Sequence, residues 1–177
     1  IITFIPKIRI TVKDSVYDLK NFVKDYPFLS TIGIHTDIEL NEKELKALLA
    51  YLNSTFVWLW LEQNARYIAK GPLGLEANIL RDMPIINVKK LRREDVEELA
   101  KLFDVLESRA RQLVRGEETK LEMFEALKPY FQAIDRKIAE LLGIPIDVEW
   151  LWSFAWEMME RRIKGARGPT RPGAEVS

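Results

Sequence analysis

The front of the chain alternates apolar and polar residues, whereas the rest repeats apolar residues at helical spacing. Residues 7–13 read KIRITVK, which puts Ile8, Ile10 and Val12 on one face and polar residues on the other. Strict alternation of this kind predicts a half-buried strand. Residues 30–36 repeat the pattern more weakly. This front part therefore predicts a small β region, which we interpret as the remnant of a larger sheet.

Helical spacing begins at Asn41, a good N-cap residue that is followed three positions later by Glu44 in the spacing of a capping box. The apolar stripe after it continues to about Asn64, which predicts one long central helix of roughly 35 Å. The stripe consists of Leu45, Leu48, Leu49, Leu52, Phe56 and Leu59.

Three more helices are predicted beyond residue 92. The first, over residues 93–115, carries apolar residues that step by three and four, the rhythm of a coiled-coil seam. These seam residues are Val96, Leu99, Phe103, Leu106, Ala110 and Leu113. The second covers residues 118–142, where Pro129 should kink or divide it. The third covers residues 147–164.

The predicted fold class is therefore α+β, with a small remnant β-sheet, one long central helix and a C-terminal helical subdomain of about three helices. The predicted division is an α+β part over residues 1–90 and a helical subdomain over residues 91–164. Residues 165–177, which are rich in glycine, proline and charged residues, predict a disordered tail.

Composition narrows the classes of function. The chain has 177 residues, no cysteine and a single histidine, so neither a thiolate nor a histidine metal site is expected. No apolar stretch is long enough to span a membrane, and we expect a cytoplasmic protein. The abundance of Glu, Lys and Arg is typical of a thermophile. The chain starts at Ile1 in what reads as the middle of a strand, so we expect a piece of a longer protein.

Two segments resemble a known family. Residues 47–86 combine an apolar helix carrying Asn53-Ser54, a polar-basic hinge, Gly-Pro-Leu-Gly, and a short helix ending in Asp-Met-Pro-Ile. That order resembles the C-terminal specificity region of TaqI-like adenine-specific DNA methyltransferases, including those fused to restriction nucleases. Ile134-Asp135 followed by Leu-Leu-Gly-Ile, with a last helix finishing in Glu-Arg-Arg-Ile, resembles the closing segment of the same families.

The resemblance implies the target recognition portion of a restriction–modification methyltransferase that acts on double-stranded DNA. A missing N-terminal domain would bind S-adenosylmethionine and flip the adenine. This chain has no Pro-Pro pair for the family's catalytic loop, and its glycines do not form a dinucleotide fingerprint after a strand. We therefore expect neither catalysis nor a cofactor in this chain.

Candidate DNA-reading residues follow from their chemistry. Arginine can donate two hydrogen bonds to guanine, asparagine and glutamine can form two with adenine, and lysine can contact phosphate. Glycine allows close approach of the backbone. The candidates are the hinge residues Gln63, Asn64, Arg66, Tyr67, Lys70 and Gly71 and the basic cluster of Lys89, Lys90, Arg92 and Arg93. The simpler alternative is that Asn64 and Arg66 only cap the helix and Gly71 only makes a turn.

A second hypothesis is a helical protein–protein or oligomerisation module of a restriction–modification complex. The seam and the Trp-rich last helix could dock a partner subunit or form a homodimer. Separately, Trp60 and Trp152 are the aromatic residues that we expect to face a missing domain. The formal net charge of zero favours this hypothesis, because a duplex binder usually carries a basic excess.

Overall fold

The computed structural model of the chain describes residues 39–67, 73–74, 77–113 and 120–163. The helices in these ranges are α1 (Glu42–Leu52), α2 (Thr55–Asn64), α3 (Ala77–Asp82), α4 (Arg93–Leu113), α5 (Lys120–Leu142) and α6 (Val148–Ile163). A single 3-10 turn covers Val88–Lys90. Strand β1 (Arg66–Tyr67) pairs antiparallel with strand β2 (Leu73–Gly74).

The predicted α+β class with a remnant sheet is wrong, because the described part of the chain is mostly α-helical. Strand pairing within the described ranges is limited to the two-residue ladder of β1 and β2. Helices α1, α4 and α5 bury their apolar faces against one another, so no sheet is needed to cover them. The strands predicted at residues 7–13 and 30–36, and the predicted tail at 165–177, lie outside the described residues.

The single long central helix is also wrong, since the chain leaves helical geometry at Asn53 and Ser54. The Asn53 side-chain amide donates to the Leu49 carbonyl at 2.8 Å. The Ser54 hydroxyl accepts from the Val57 amide at 3.4 Å and caps α2. Such side chains compete with the helix backbone for its own hydrogen bonds. The apolar stripe continues across this short break, which is why spacing alone did not reveal it.

Pro129 does not divide α5, which continues from Lys120 to Leu142. The proline ring is exposed to solvent. A proline inside a helix costs about 3 kcal/mol, because it removes one backbone hydrogen bond and crowds the preceding turn. The buried face of α5, which includes Leu127, Ile134 and Ile138, offsets that cost.

The apolar core is continuous and draws on α1, α4, α5 and the segment after α3. Helix α4 lies between α1 and α5. The seam of α4 faces this core: Val96, Leu99, Leu106 and Leu113 are buried, and Phe103 and Ala110 are partly buried against them. The seam residues therefore pack against other helices of the same chain, and docking of a partner subunit stays a prediction.

Aromatic rings join α2 to α5 and α6. Trp58 meets Phe124 and Trp152 edge-on, with ring centroids 5.2 and 5.5 Å apart. Phe131 and Trp156 pack around the same rings. Edge-to-face pairs contribute about 0.5–1.5 kcal/mol each beyond the area they bury. Trp152 is only 4% exposed, so the prediction that it faces a missing domain is wrong.

Candidate functional site

The predicted hinge begins at the C-terminal end of α2. Gln63 and Arg66 are exposed there. Asn64 is half-buried, and its side-chain amide donates to the Trp60 carbonyl at 2.8 Å. The Asn64 amide is therefore engaged within the last turn of the helix, whereas the residues Gln63 and Arg66 are exposed.

The short β-ladder fixes the backbone just beyond this helix end. Arg66 lies opposite Gly74, and Tyr67 lies opposite Leu73. The ladder thus returns the chain to the exit of α2. Lys70 and Gly71 lie outside the described residues.

The N-terminal end of α2 rests on a buried carboxylate from α5. The Thr55 amide donates to Asp135 Oδ1 at 2.8 Å, and the Thr55 hydroxyl donates to Asp135 Oδ2 at 2.5 Å. Both residues are almost fully buried. Burial raises the pKa of Asp135 to about 6, although the hydrogen bonds from Thr55 act in the opposite direction. A negative charge at this position also complements the helix dipole.

The C-terminal end of α2 is held by α6. Arg162 Nε donates to Glu62 Oε2 at 2.9 Å, and Arg162 Nη2 donates to Glu62 Oε1 at 2.9 Å. Trp58 Nε1, one turn earlier, also donates to Glu62 Oε1 at 3.1 Å. The Glu62 side chain is fully buried, and that of Arg162 is 11% exposed. Two parallel N–H···O bonds of this kind combine charge with a fixed planar geometry.

Sequence reasoning did not find the Glu62–Arg162 pair. An acidic residue directly after the apolar run of residues 56–61 is the one available signal, because a charge in that setting needs a partner. Nothing in the sequence indicates that the partner lies 100 positions away. The link between Asp135 and Thr55, 80 positions apart, was hidden for the same reason.

The predicted basic cluster is largely occupied by internal ion pairs. Lys89 Nζ lies 2.7 Å from Glu44. Arg92 forks onto Asp95 at 2.8 and 3.1 Å, and Arg93 Nε lies 3.1 Å from Glu97, which also pairs with Lys43. Lys90 is exposed and has no ion pair with any residue in the described ranges. Within the cluster, Lys90 is therefore the side chain best placed for a phosphate contact.

The Arg92 pair belongs to a larger network between α4 and α5. Buried Lys137 lies 2.8 Å from Asp95, 2.7 Å from Glu98 and 3.2 Å from Glu140. Hydrogen bonds from Arg92 and Lys137 lower the pKa of Asp95 to about 2. Breaking such a buried pair leaves an uncompensated charge. We interpret this network as structural, because the groups within it satisfy one another.

Other features of the surface offer less chemistry. An open groove of about 340 Å³ lies beside α4 and includes Lys101, Val105 and Arg109. Among the described residues no group of acidic, histidine or cysteine side chains could hold a metal ion. None of the helices in that part of the chain is long and apolar enough to cross a membrane.

One apolar patch is exposed on α6. The rings of Trp150 and Phe154 stack with centroids 5.4 Å apart, and the residues are 57% and 37% exposed. Their neighbours Trp152 and Trp156 point the other way, into the aromatic cluster. Trp150 and Phe154 thus form an apolar patch on α6 with no covering element among the described residues.

Compared with protein-family models, with curated proteins and with solved structures, the chain shows no significant match in any of the three. The resemblance to methyltransferase specificity regions therefore depends on the quoted motifs alone.

Proposed function

We propose that this chain is the DNA target recognition portion of an adenine-specific DNA methyltransferase of a restriction–modification system, without the catalytic domain. The observation that carries the proposal is that the two resembling segments hold each other. Asp135 of the closing segment binds the start of α2 next to Asn53-Ser54, and Arg162 binds its end. Contact between two motifs that lie far apart in the sequence supports the idea that they belong to one structural unit.

The chemistry proposed for the site follows from the exposed side chains at the exit of α2. Arg66 would fork onto the N7 and O6 acceptors of a guanine, and Gln63 would pair with the edge of an adenine. Lys90 would contact a phosphate and set the register on the duplex. S-adenosylmethionine would be bound by the catalytic domain of the parent enzyme in the cytoplasm.

The proposal is tested by selecting bound duplexes from a random-sequence DNA library with the 177-residue chain. We expect wild-type protein to enrich a defined sequence. Arg66→Ala combined with Lys70→Ala should lose that enrichment and, in the complete enzyme, should abolish site-specific methylation. Each lost bidentate base contact is worth about 1–3 kcal/mol of discrimination.

A matched control is available in the groove beside α4. Lys101→Ala combined with Arg109→Ala removes the same charge from a different surface and should leave the enriched sequence unchanged. Loss of enrichment in both double variants would indicate a general charge effect. Wild-type protein that enriches no sequence would contradict the proposal.

A second candidate function, docking of another copy of the chain, is favoured by the exposed pair of Trp150 and Phe154. An apolar interface of this kind is insensitive to salt, whereas phosphate contacts weaken steeply as salt rises. Sedimentation should then show a dimer at low and high salt that Trp150→Ala with Phe154→Ala converts to a monomer. A wild-type monomer would contradict this candidate.

A further inference from the structure

Helix α2 lacks the usual feature that sets the rotation of a helix. Residues 56–61 read FVWLWL and are apolar without interruption. They cover more than one full turn, since a turn takes about 3.6 residues. Several rotations about the helix axis would therefore bury similar amounts of apolar surface. Directional contacts are needed to select one of them, and the hydrogen bonds of Thr55 with Asp135 supply one at the start of the helix.

The Glu62–Arg162 pair supplies the directional contact at the end of the helix. A carboxylate and a guanidinium form two parallel bonds only when their planes are aligned, and both bonds here are 2.9 Å long. The Trp58 ring nitrogen fixes the same carboxylate from within α2. Because the Glu62 carboxylate is fully buried and the Arg162 side chain is 11% exposed, a rotation that separates them would break two charge-assisted hydrogen bonds where little water can replace them.

The pair lies directly before the candidate base-reading residues. Exposed Gln63 directly follows Glu62, and exposed Arg66 lies four positions after Glu62. By contrast, Asp135 binds Thr55 at the far end of the helix. A change in rotation at Glu62 would turn Gln63 and displace the start of β1.

We propose that Glu62 and Arg162 are positioning residues that set the orientation of the base-reading exit of α2. Helix α6 thereby influences DNA selectivity from inside the fold. This inference rests on the proposed function, because it assigns Gln63 and Arg66 the reading of bases.

The test compares Arg162→Lys with Arg161→Lys. Both keep the charge of α6, but Arg161 is exposed and pairs only with Glu157 on the same helix among the described residues. We measure amide hydrogen exchange at residues 63–67 and the ratio of affinities for the enriched and a random duplex. In Arg162→Lys we expect exchange at residues 63–67 to rise about tenfold. The affinity ratio should fall about tenfold while binding to random duplex is unchanged.

Arg161→Lys should change neither quantity. Should Arg162→Lys fail to fold, Glu62→Gln combined with Arg162→Gln removes both buried charges together and provides the same comparison. Exchange at residues 63–67 that stays at the wild-type rate would overturn the positioning role, whatever the protein does with DNA. Increased exchange with an unchanged affinity ratio would also overturn it.

Failure of the proposed function is detected separately. If wild-type protein shows no sequence preference, the proposed reading of DNA bases is contradicted. The selection with wild-type protein and with Arg66→Ala/Lys70→Ala tests this without any change at Arg162. The exchange measurement does not involve DNA, so the two failures cannot be confused.

Discussion

The two ends of α2 are each held by a buried carboxylate, but the carboxylates have different partners. At the start of the helix, Asp135 accepts two hydrogen bonds from the neutral donors of Thr55. At the end, Glu62 is forked by the cationic Arg162. Burial raises the pKa of Asp135 to about 6. The comparison teaches that the two contacts are probed in different ways: the Asp135 contact by changing the pH through the pKa of its carboxyl group, and the Glu62 contact by removing the Arg162 cation.

The largest expected effect is at the charged end. Arg162→Ala should lower the free energy of unfolding by about 3–5 kcal/mol, because it leaves Glu62 buried without its cation. Arg161→Ala, which breaks only an exposed pair, should change it by less than about 1 kcal/mol. Urea denaturation of the two variants measures the difference. Equal effects would mean that burial of the Glu62 pair has no energetic consequence.

A somewhat smaller effect is expected at the neutral end as pH changes. Because the folded-state pKa of Asp135 is about 6 and its ordinary value is 3.8, the folded protein binds this proton more tightly than the unfolded chain. The associated stability is present at low pH and is lost as pH rises through 6. The full difference is about 3 kcal/mol, of which roughly 1 kcal/mol falls between about pH 5 and pH 6.5.

Asp135→Asn isolates this contribution. The amide keeps an acceptor for the Thr55 amide and a donor for its hydroxyl, but it does not titrate. Subtracting the pH profile of Asp135→Asn from that of wild type cancels other groups, including Asp95, whose pKa is about 2. A difference profile that is flat above pH 5 would contradict the raised pKa.

The smallest effect of the series comes from removing one hydrogen bond at the same end. Thr55→Val keeps the shape of the side chain and deletes the donor to Asp135 Oδ2. The free energy of unfolding should fall by about 1–3 kcal/mol at neutral pH. Since that hydrogen bond lowers the pKa of Asp135, the pH transition should move upward. A downward shift of the pH transition would mean that the Thr55 hydroxyl raises the pKa of Asp135 instead of lowering it.

Local patterns predicted the helices well but not their divisions. The capping box of Asn41 and Glu44 is present, and α4 and α6 lie close to the predicted ranges. The break at Asn53 depends on side-chain hydrogen bonds and on Asp135 from a distant helix, which periodicity does not register. The same periodicity identified the α4 seam, but it could not show whether the seam packs against other helices of this chain or against another protein.

The candidate site was predictable only in part. Residue chemistry located Gln63 and Arg66 at the exit of a helix, where both are exposed. The basic cluster looked available in sequence, yet Lys89, Arg92 and Arg93 have acidic partners supplied by α1 and α4. The buried contacts that hold the two ends of α2 join positions 80 and 100 residues apart, and only folding brings them together.

The most direct measurement is the ratio of affinities of the 177-residue chain for its enriched duplex and for a random duplex, taken at one fixed salt concentration. We predict a ratio of about 10³ or more for wild type, with a large loss in Arg66→Ala/Lys70→Ala and a loss of about tenfold in Arg162→Lys. A ratio near unity for the wild-type chain would contradict the account.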